Sequence, residues 1–164
     1  MSTTIKIPVV NKSTNDLPQY AHSSDAGFDF RANIKGIESD KFLFNSTLNI
    51  EDSTLIINPG GRALVPTGLH MAIPEGYELQ VRPRSGLALK FGISVLNTPG
   101  TIDSGYIGDI GIIVINHGDK PFMVYQGDKI AQGVFNKIET ATFEKIDTLE
   151  ETSRGEGGFG HTGI

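Results

Sequence analysis

Residues 100–116, GTIDSGYIGDIGIIVIN, join a glycine-rich turn to an apolar run, and this combination decides the fold class. The run from Ile110 to Ile115 is mostly β-branched, which favours a strand over a helix. The turn before it carries Asp103 three residues ahead of Tyr106. Turns built from Asp, Ser and Gly most often do no more than reverse the chain. The stretch therefore predicts a hairpin, and it leaves open whether Asp103 belongs to an active site.

The same pattern of short apolar or alternating runs between glycines continues along the chain. The 20 glycines among 164 residues are spread out rather than repeated in tandem. Helical periodicity is confined to 85–92, SGLALKFG, where Ser85 is a candidate N-cap and Gly92 follows the expected last turn. Many short strands with turns between them are typical of a sandwich, jelly roll or barrel, so we expect an all-β fold with at most one short helix. The predicted strands cover residues 4–10, 54–57, 62–66, 69–73, 77–82, 110–115 and 129–135.

Composition excludes several classes of protein. The formal charge of −5 argues against a general nucleic-acid binder, which would carry a basic stripe, although a few arginines and a metal ion can still attract an anionic small ligand. The sequence has no cysteine, so it forms no disulfide and no thiolate metal site. No apolar stretch approaches membrane-spanning length, and the first residues do not resemble a secretory signal. We expect a cytoplasmic protein that binds neither nucleic acid nor membrane.

Two segments differ from the rest of the chain. Residues 36–53 are polar with a short apolar centre and predict an insertion, either an extra hairpin or a long loop. The tail at 152–164, TSRGEGGFGHTGI, is rich in glycine but also holds Arg154 and Phe159. Such a tail is either a frayed terminus or a flexible arm that orders over a ligand, with Phe159 as a stacking face.

Three further stretches carry weak signals when each is taken alone. In RPRSGLA, 82–88, Arg84 and Ser85 precede the short helix, where they suit either a phosphate or an ordinary helix start. SSDAGFDF, 23–30, is a turn that leads into a strand and contains two aspartates. GDKIAQ, 127–132, is a turn whose following strand carries a glutamine, a residue that usually faces outward in a strand.

In combination and in order, five stretches resemble the five motifs of the trimeric dUTP pyrophosphatases (dUTPases). They are SSDAGFDF, RPRSGLA, NTPGTIDSGYIGDI, GDKIAQ and RGEGGFGHTG, and the resemblance runs from about Ile5 to the C-terminus, lapsing only at 36–53. It implies a jelly-roll-like β-domain over 1–151, an arm at 152–164 and a homotrimer. It also implies Mg²⁺-dependent hydrolysis of dUTP to dUMP and pyrophosphate, which lowers dUTP and supplies dUMP for thymidylate synthesis. In the family each active site is shared, and the arm of one chain closes over a site between the other two.

The resemblance assigns roles to individual residues of the hairpin and of the strand after GDK. Hydrolysis at the α-phosphorus needs a water activated in line with the leaving pyrophosphate. Asp103 matches the catalytic aspartate that orients and deprotonates this water, and Gln132 matches the glutamine that helps hold the water and the α-phosphate. Tyr106 matches the tyrosine that packs against the deoxyribose and leaves no room for a 2′-hydroxyl. The segment that hydrogen-bonds the uracil edge is matched by Asn97, Gly100, Thr101 and Ile102.

The remaining assignments concern the phosphates, the metal and the arm. Ser85 matches the serine that contacts the phosphates, aided by Arg84 and the N–H groups of Gly86 and Leu87. Asp29 matches an acid that lies near the metal through water, so that Mg²⁺ would lie mainly on the phosphates. Arg154 matches the arginine that pairs with the γ-phosphate, and Phe159 matches the aromatic that stacks on uracil. The expected arm contacts also include Gly160, Thr162 and His161, the last of which stands where the family commonly has serine.

Two other functions fit the sequence less well than hydrolysis of dUTP. A dCTP deaminase resembles dUTPases in fold and hairpin but needs a glutamate on the strand after the hairpin, where this chain has Ile113, which cannot transfer protons. A silent dUTPase-like binding or signalling trimer should have lost Asp103, Tyr106 or the arm motif, and the sequence retains all of them. An additional partner remains open, with 36–53 as the place to look for it.

Overall fold

The computed structural model describes residues 4–158, whereas residues 1–3 and 159–164 are not described. Within 4–158 the chain forms eleven strands, one α-helix and two 3-10 helices, which confirms the predicted all-β fold. None of the helices in this range is long and apolar enough to cross a membrane. The strands are β1 (Val9–Asn11), β2 (Phe28–Arg31), β3 (Leu43–Asn49), β4 (Thr54–Pro66), β5 (Leu69–Met71), β6 (Tyr77–Arg82), β7 (Ile93–Val95), β8 (Gly100–Ile102), β9 (Gly111–Asn116), β10 (Phe122–Tyr125) and β11 (Lys129–Lys137); the α-helix α1 is Ser85–Phe91, and the 3-10 helices are Ile34–Gly36 and Asp40–Phe42.

Three antiparallel sheets organise these strands. The largest has the order β10-β4-β9-β7 with β3 paired to β4, the second has the order β2-β11-β6-β8, and β1 pairs with β5. The two larger sheets share one core, to which they contribute alternate residues such as Phe30 and Leu79 from one and Leu55 and Ile112 from the other, all fully buried. The second sheet matters most for function because each of its strands, β2, β6, β8 and β11, overlaps one of the predicted motifs.

The predicted short helix is confirmed, but its predicted cap is wrong. Helix α1 ends at Gly92, which adopts the left-handed conformation with φ 68 and ψ 23. The N-cap is Arg84 rather than Ser85, and no side chain caps the helix. Arg84 has an extended backbone and its guanidinium is engaged with Asp29, and the helix starts at Ser85, one residue earlier than expected. The Ser85 hydroxyl is therefore not used as a cap.

Two predicted strands, 54–57 and 62–66, are one continuous strand in the structure. Gly60 has φ +74, and a Cβ at Gly61 would lie 2.8 Å from the Asn58 carbonyl oxygen, so only glycines fit this bend. The bend turns β4 without ending it. The pattern also missed the short strands β7, β8 and β10, which are three or four residues long.

Residues 36–53 contribute mainly strand β3 and the turn of a β3–β4 hairpin, so the extra hairpin is the predicted alternative that the structure shows. Strand β3 pairs with β4 in a register that runs from Leu43 opposite Ala63 to Asn49 opposite Thr54. The Phe44 ring packs against Arg62, whose guanidinium carbon lies 4.2 Å from the ring centroid. Whether this hairpin is an insertion remains a prediction.

The chain leaves its sheets after β11. The backbone N–H of Ile138 still donates to the Gly76 carbonyl, but among the described residues those from 139 to 158 hydrogen-bond only with one another. Phe143 in this segment is 98% exposed. The proposed boundary between a domain at 1–151 and an arm at 152–164 falls within this stretch.

Candidate active site

Three charged side chains meet at one end of the β2-β11-β6-β8 sheet. Asp29 of β2 accepts a hydrogen bond from Arg84 Nε at Oδ1, at 2.8 Å, and pairs through Oδ2 with Lys129 Nζ, also at 2.8 Å. Arg84 Nη1 also donates to the Lys129 carbonyl at 3.1 Å. The three side chains are only partly exposed, so each pair is screened less than a typical surface ion pair. One carboxylate thus restrains two cations beside the start of α1.

Asp29 is ionised, and each of its two oxygens already accepts one charged donor while keeping room for a water. Burial by itself would raise the pKa of Asp29, but the hydrogen bond from Lys129 and the charges of Arg84 and Lys129 outweigh it, so the pKa lies below the ordinary value of 3.8. No group of three or more His, Asp or Glu side chains able to hold a metal exists among residues 4–158. Direct ligation of Mg²⁺ by this carboxylate does not fit, whereas contact through water does.

Gln132 lies next to this charged group. On β11 it stands opposite Asp29 of β2 and Arg82 of β6. Its Nε2 donates to the Pro83 carbonyl at 2.9 Å, so the side chain is held against the loop that precedes α1. Gly27 makes room for it, because a Cβ there would lie 2.6 Å from Gln132 Oε1. Gly27 of SSDAGFDF therefore leaves the space that the side chain of Gln132 in GDKIAQ occupies.

The hairpin stretch places Asp103 and Tyr106 on one tight turn. The backbone N–H of Tyr106 donates to the Asp103 carbonyl at 3.1 Å, which closes the turn. The Tyr106 hydroxyl donates to the Asp109 carbonyl at 2.7 Å, and the residue as a whole is 45% exposed. The Asp103 carboxylate is exposed and hydrogen-bonds to no other described residue. An unengaged carboxylate and an aromatic ring thus share one rigid turn.

Contacts that the sequence did not reveal fix this turn to the connection between β4 and β5. Asp109 Oδ1 accepts from the backbone N–H of Gly68 at 3.0 Å and of Thr67 at 3.2 Å. His70 Nδ1 lies 3.0 Å from the Ile107 carbonyl oxygen, to which it donates when protonated there. These partners are some 40 positions away along the chain, so nothing local in the sequence indicates them. Lys129, the second partner of Asp29, was likewise missed.

Strand register separates the predicted residues into two groups. Gln132 is level with Arg82 of β6, whereas Ile102, just before Asp103, is level with Leu79. This three-residue offset corresponds to ~10 Å along the strand. A groove of about 360 Å³ borders Asp29 and Lys129, but Asp103 and Gln132 do not line it. Within one chain, the first group consists of Asp29, Arg84, Ser85, Gly86 and Gln132. The second group, Asp103 and Tyr106, follows strand β8, which consists of Gly100, Thr101 and Ile102. The exposed Asn97 lies shortly before β8.

The predicted arm residues are only partly described. Arg154 is exposed, and its Nε donates to the Gly157 carbonyl within its own segment at 2.9 Å. Four predicted contacts lie outside the described residues: Phe159, Gly160, His161 and Thr162.

A family model and several known proteins described as dUTPases are similar to this chain. The dUTPase family model matches residues 50–163. The deoxyuridine 5'-triphosphate nucleotidohydrolase of Clostridium tetani is 51% identical over 160 residues, which cover 98% of this chain and 97% of that relative. The solved Staphylococcus bacteriophage 80alpha dUTPase with dUPNHPP has a TM-score of 0.79 at 24% identity and covers 98% of this chain and 100% of its own. A mutant dUTPase from phage phi11 of S. aureus, described as revealing the coordination of a structural Mg(II) ion, has a TM-score of 0.71 at 22% identity and covers 90% of this chain and 100% of its own.

Proposed function

The chain belongs to the dUTPase family and hydrolyses dUTP to dUMP and pyrophosphate, and we propose that it does so in a homotrimer whose active sites are shared between chains. The family membership confirms the resemblance and the jelly-roll-like fold expected from the motifs. The observation that carries the proposal is the ~10 Å offset along β6 between the level of Gln132 and that of Ile102, the residue just before Asp103, since a base and a phosphate ligand must meet within about 3 Å of one water. A second chain supplies what the first lacks.

Asp103 is the proposed general base. It is exposed, hydrogen-bonds to no other described residue and follows a strand, so its carboxylate is free to accept a proton and its backbone is held. It orients one water toward the α-phosphorus, takes its proton, and pyrophosphate leaves on the opposite side. Gln132 holds the water and the α-phosphate from the neighbouring chain.

The group around Asp29 is the proposed phosphate side of the site. Arg84, Ser85 and the N–H of Gly86 lie together where β6 passes into α1, and the exposed Gly86 faces open space. Arg84 and Lys129 place two positive charges against the one carboxylate, which leaves an excess of one for the phosphates. Asp29 would hold a triphosphate-bound Mg²⁺ through water, and the ion would supply further charge neutralisation.

The rest of the substrate meets the hairpin and the arm in this proposal. The uracil edge is read by the backbone from Gly100 to Ile102 together with Asn97, and the deoxyribose packs on Tyr106. The arm of a third chain brings Arg154 to the γ-phosphate and Phe159 to the uracil, with Gly160, His161 and Thr162 beside them. We place the enzyme in the cytoplasm, where it would encounter dUTP as a free nucleotide.

Replacement of Asp103 by Asn tests the assignment of the base. The amide keeps size and hydrogen bonding but accepts no proton, so kcat for dUTP in Mg²⁺ should fall by at least about a hundredfold while a non-hydrolysable dUTP analogue still binds. Asp119→Asn, which changes an exposed aspartate in the turn after β9, is the matched control and should keep wild-type kcat. EDTA should abolish turnover in both. A near-normal kcat for Asp103→Asn would remove Asp103 from the mechanism.

A further inference from the structure

Gly108 sits underneath the Tyr106 side chain. To reach the Asp109 carbonyl, the Tyr106 hydroxyl passes over the backbone of Gly108. A Cβ at position 108 would overlap the hydroxyl oxygen and would lie 2.6 Å from Cζ of the ring. Gly108 does not have the left-handed φ that would demand glycine, so its missing side chain matters for space rather than for backbone conformation. The ring position therefore depends on the absence of a methyl group.

Both neighbours of Gly108 are fixed to the body of the protein. The Asp109 carboxylate accepts the N–H groups of Thr67 and Gly68, and the Ile107 carbonyl lies 3.0 Å from His70 Nδ1. The Asp109 carbonyl is therefore a fixed acceptor rather than part of a loose loop. A hydrogen bond of 2.7 Å to that acceptor holds one end of a ring that is otherwise half exposed.

We propose that Gly108 and the Asp109 carbonyl form a specificity-determining device, which sets the rejection of ribonucleotides by holding Tyr106 in one orientation. The inference rests on the proposed function, in which Tyr106 packs against the deoxyribose. An apolar wall rejects an added hydroxyl only weakly if the wall can move, whereas a wall fixed at its far end forces a clash. Gly108 and Asp109 are positioning residues that act through Tyr106 without touching the sugar.

Gly108→Ala is the direct test, and Gly105→Ala is its matched control. Both glycines lie in the same turn, and a Cβ at Gly105 meets nothing within 4 Å. The measured quantity is the ratio of kcat/KM for dUTP to that for UTP, from pyrophosphate release, with melting temperature as the check on folding. We expect Gly108→Ala to lower this ratio by about tenfold and Gly105→Ala to leave it within twofold. An unchanged ratio in a folded Gly108→Ala protein overturns the inference.

A double-mutant cycle shows whether Gly108 acts through the ring. Tyr106→Ala should itself relax the ratio, and adding Gly108→Ala to it should change nothing further. If Gly108→Ala lowers the ratio equally in the Tyr106→Ala background, it acts by another route and the inference is wrong. If Tyr106→Ala leaves the ratio unchanged, the proposed role of Tyr106 itself fails, which is a different outcome from the failure of Gly108→Ala alone.

Tyr106→Phe keeps the test decisive if Gly108→Ala does not fold. It removes only the hydroxyl that reaches the Asp109 carbonyl and leaves the ring. The ratio should fall here too, by less than in Tyr106→Ala. An unchanged ratio in Tyr106→Phe overturns the inference, since the hydrogen bond would then have no part in sugar discrimination.

Discussion

Two inactive chains, each lacking a different part of the proposed shared site, should restore activity when they are mixed. One carries Asp103→Asn, and the other ends after Thr152 and so lacks Arg154 and everything beyond it. Asp103 is exposed, and residues 139–158 hydrogen-bond to none of the described residues outside their own segment, so neither change should lower the melting temperature noticeably. Each protein should therefore fold and assemble while showing almost no turnover alone.

The recovered activity follows from how the site is divided. In the proposed shared site, Asp103 and Gln132 come from different chains, because the residue before Asp103, Ile102, is already offset from Gln132 by ~10 Å along β6, and the arm comes from a third chain. After random exchange of equal amounts, a site works when the chain that supplies Asp103 is the truncated one and the chain that supplies the arm is the Asn variant. Each condition holds in about half of the cases, so about a quarter of all sites should regain turnover.

The assay is pyrophosphate release from dUTP before and after subunit exchange. Exchange is verified by native mass spectrometry, which resolves mixed trimers because the truncated chain is lighter. Activity should rise only as mixed trimers form, and mixing without exchange is the control. A mixture that contains mixed trimers but stays at the level of the separate proteins would show that each site is completed by a single chain, and the shared-site proposal would be wrong.

Three further predictions concern parts of the structure outside the hairpin. Gly27→Ala should lower kcat while largely keeping the fold, because the new methyl group displaces the Gln132 amide that it meets at 2.6 Å; steady-state kinetics beside the melting temperature check this. Because the pKa of Asp29 is lowered in the folded protein, its ion pairs stabilise the fold above pH ~4, and this stabilisation is lost as pH falls through the pKa of the folded state. The difference in melting temperature between wild type and Asp29→Asn should therefore become smaller at acid pH. A difference that stays constant with pH would contradict this prediction. Asn116 is fully buried and donates to the Ile57 carbonyl at 2.8 Å; Asn116→Ala should cost ~2–3 kcal/mol of unfolding free energy in denaturant titration, because that carbonyl loses its partner.

The sequence predicted the features that depend on neighbouring residues. The β-branched run before Asn116 became β9, and Gly92 ended α1 in the left-handed conformation that glycine favours. The prediction was wrong at Gly60 and Gly61, where the glycines do not separate two strands but instead form a bend within β4. A glycine indicates that the backbone can turn, but pairing with β3, β9 and β10 decides whether the strand continues.

The site was harder to predict where its contacts are long-range. Asp29 and Arg84 are 55 positions apart, and no spacing rule connects them. The motifs indicated which residues belong to the site through family resemblance, whereas the partners that hold them in place, such as Lys129, Thr67 and His70, lie outside the residues assigned roles. Side chains that only support a site carry no chemical signature in the sequence, so a structure is needed to find them.

A site that is divided between chains, as proposed above, would need supporting contacts of this kind. When the residues of a site come from different chains, they cannot hold one another in position before the chains assemble. If such a residue became ordered only when substrate binds, the entropy cost would weaken the affinity for substrate. The turn with Asp103 avoids this cost because Asp109 ties it to backbone groups of the β4–β5 connection, where Thr67 is 1% exposed. On the other side Asp29 holds Arg84 near the future phosphates, although Arg84 must then share its charge between the carboxylate and the substrate. Two carboxylates without a direct chemical role thus fix each half of the site during folding, so that assembly brings together parts that are already in position.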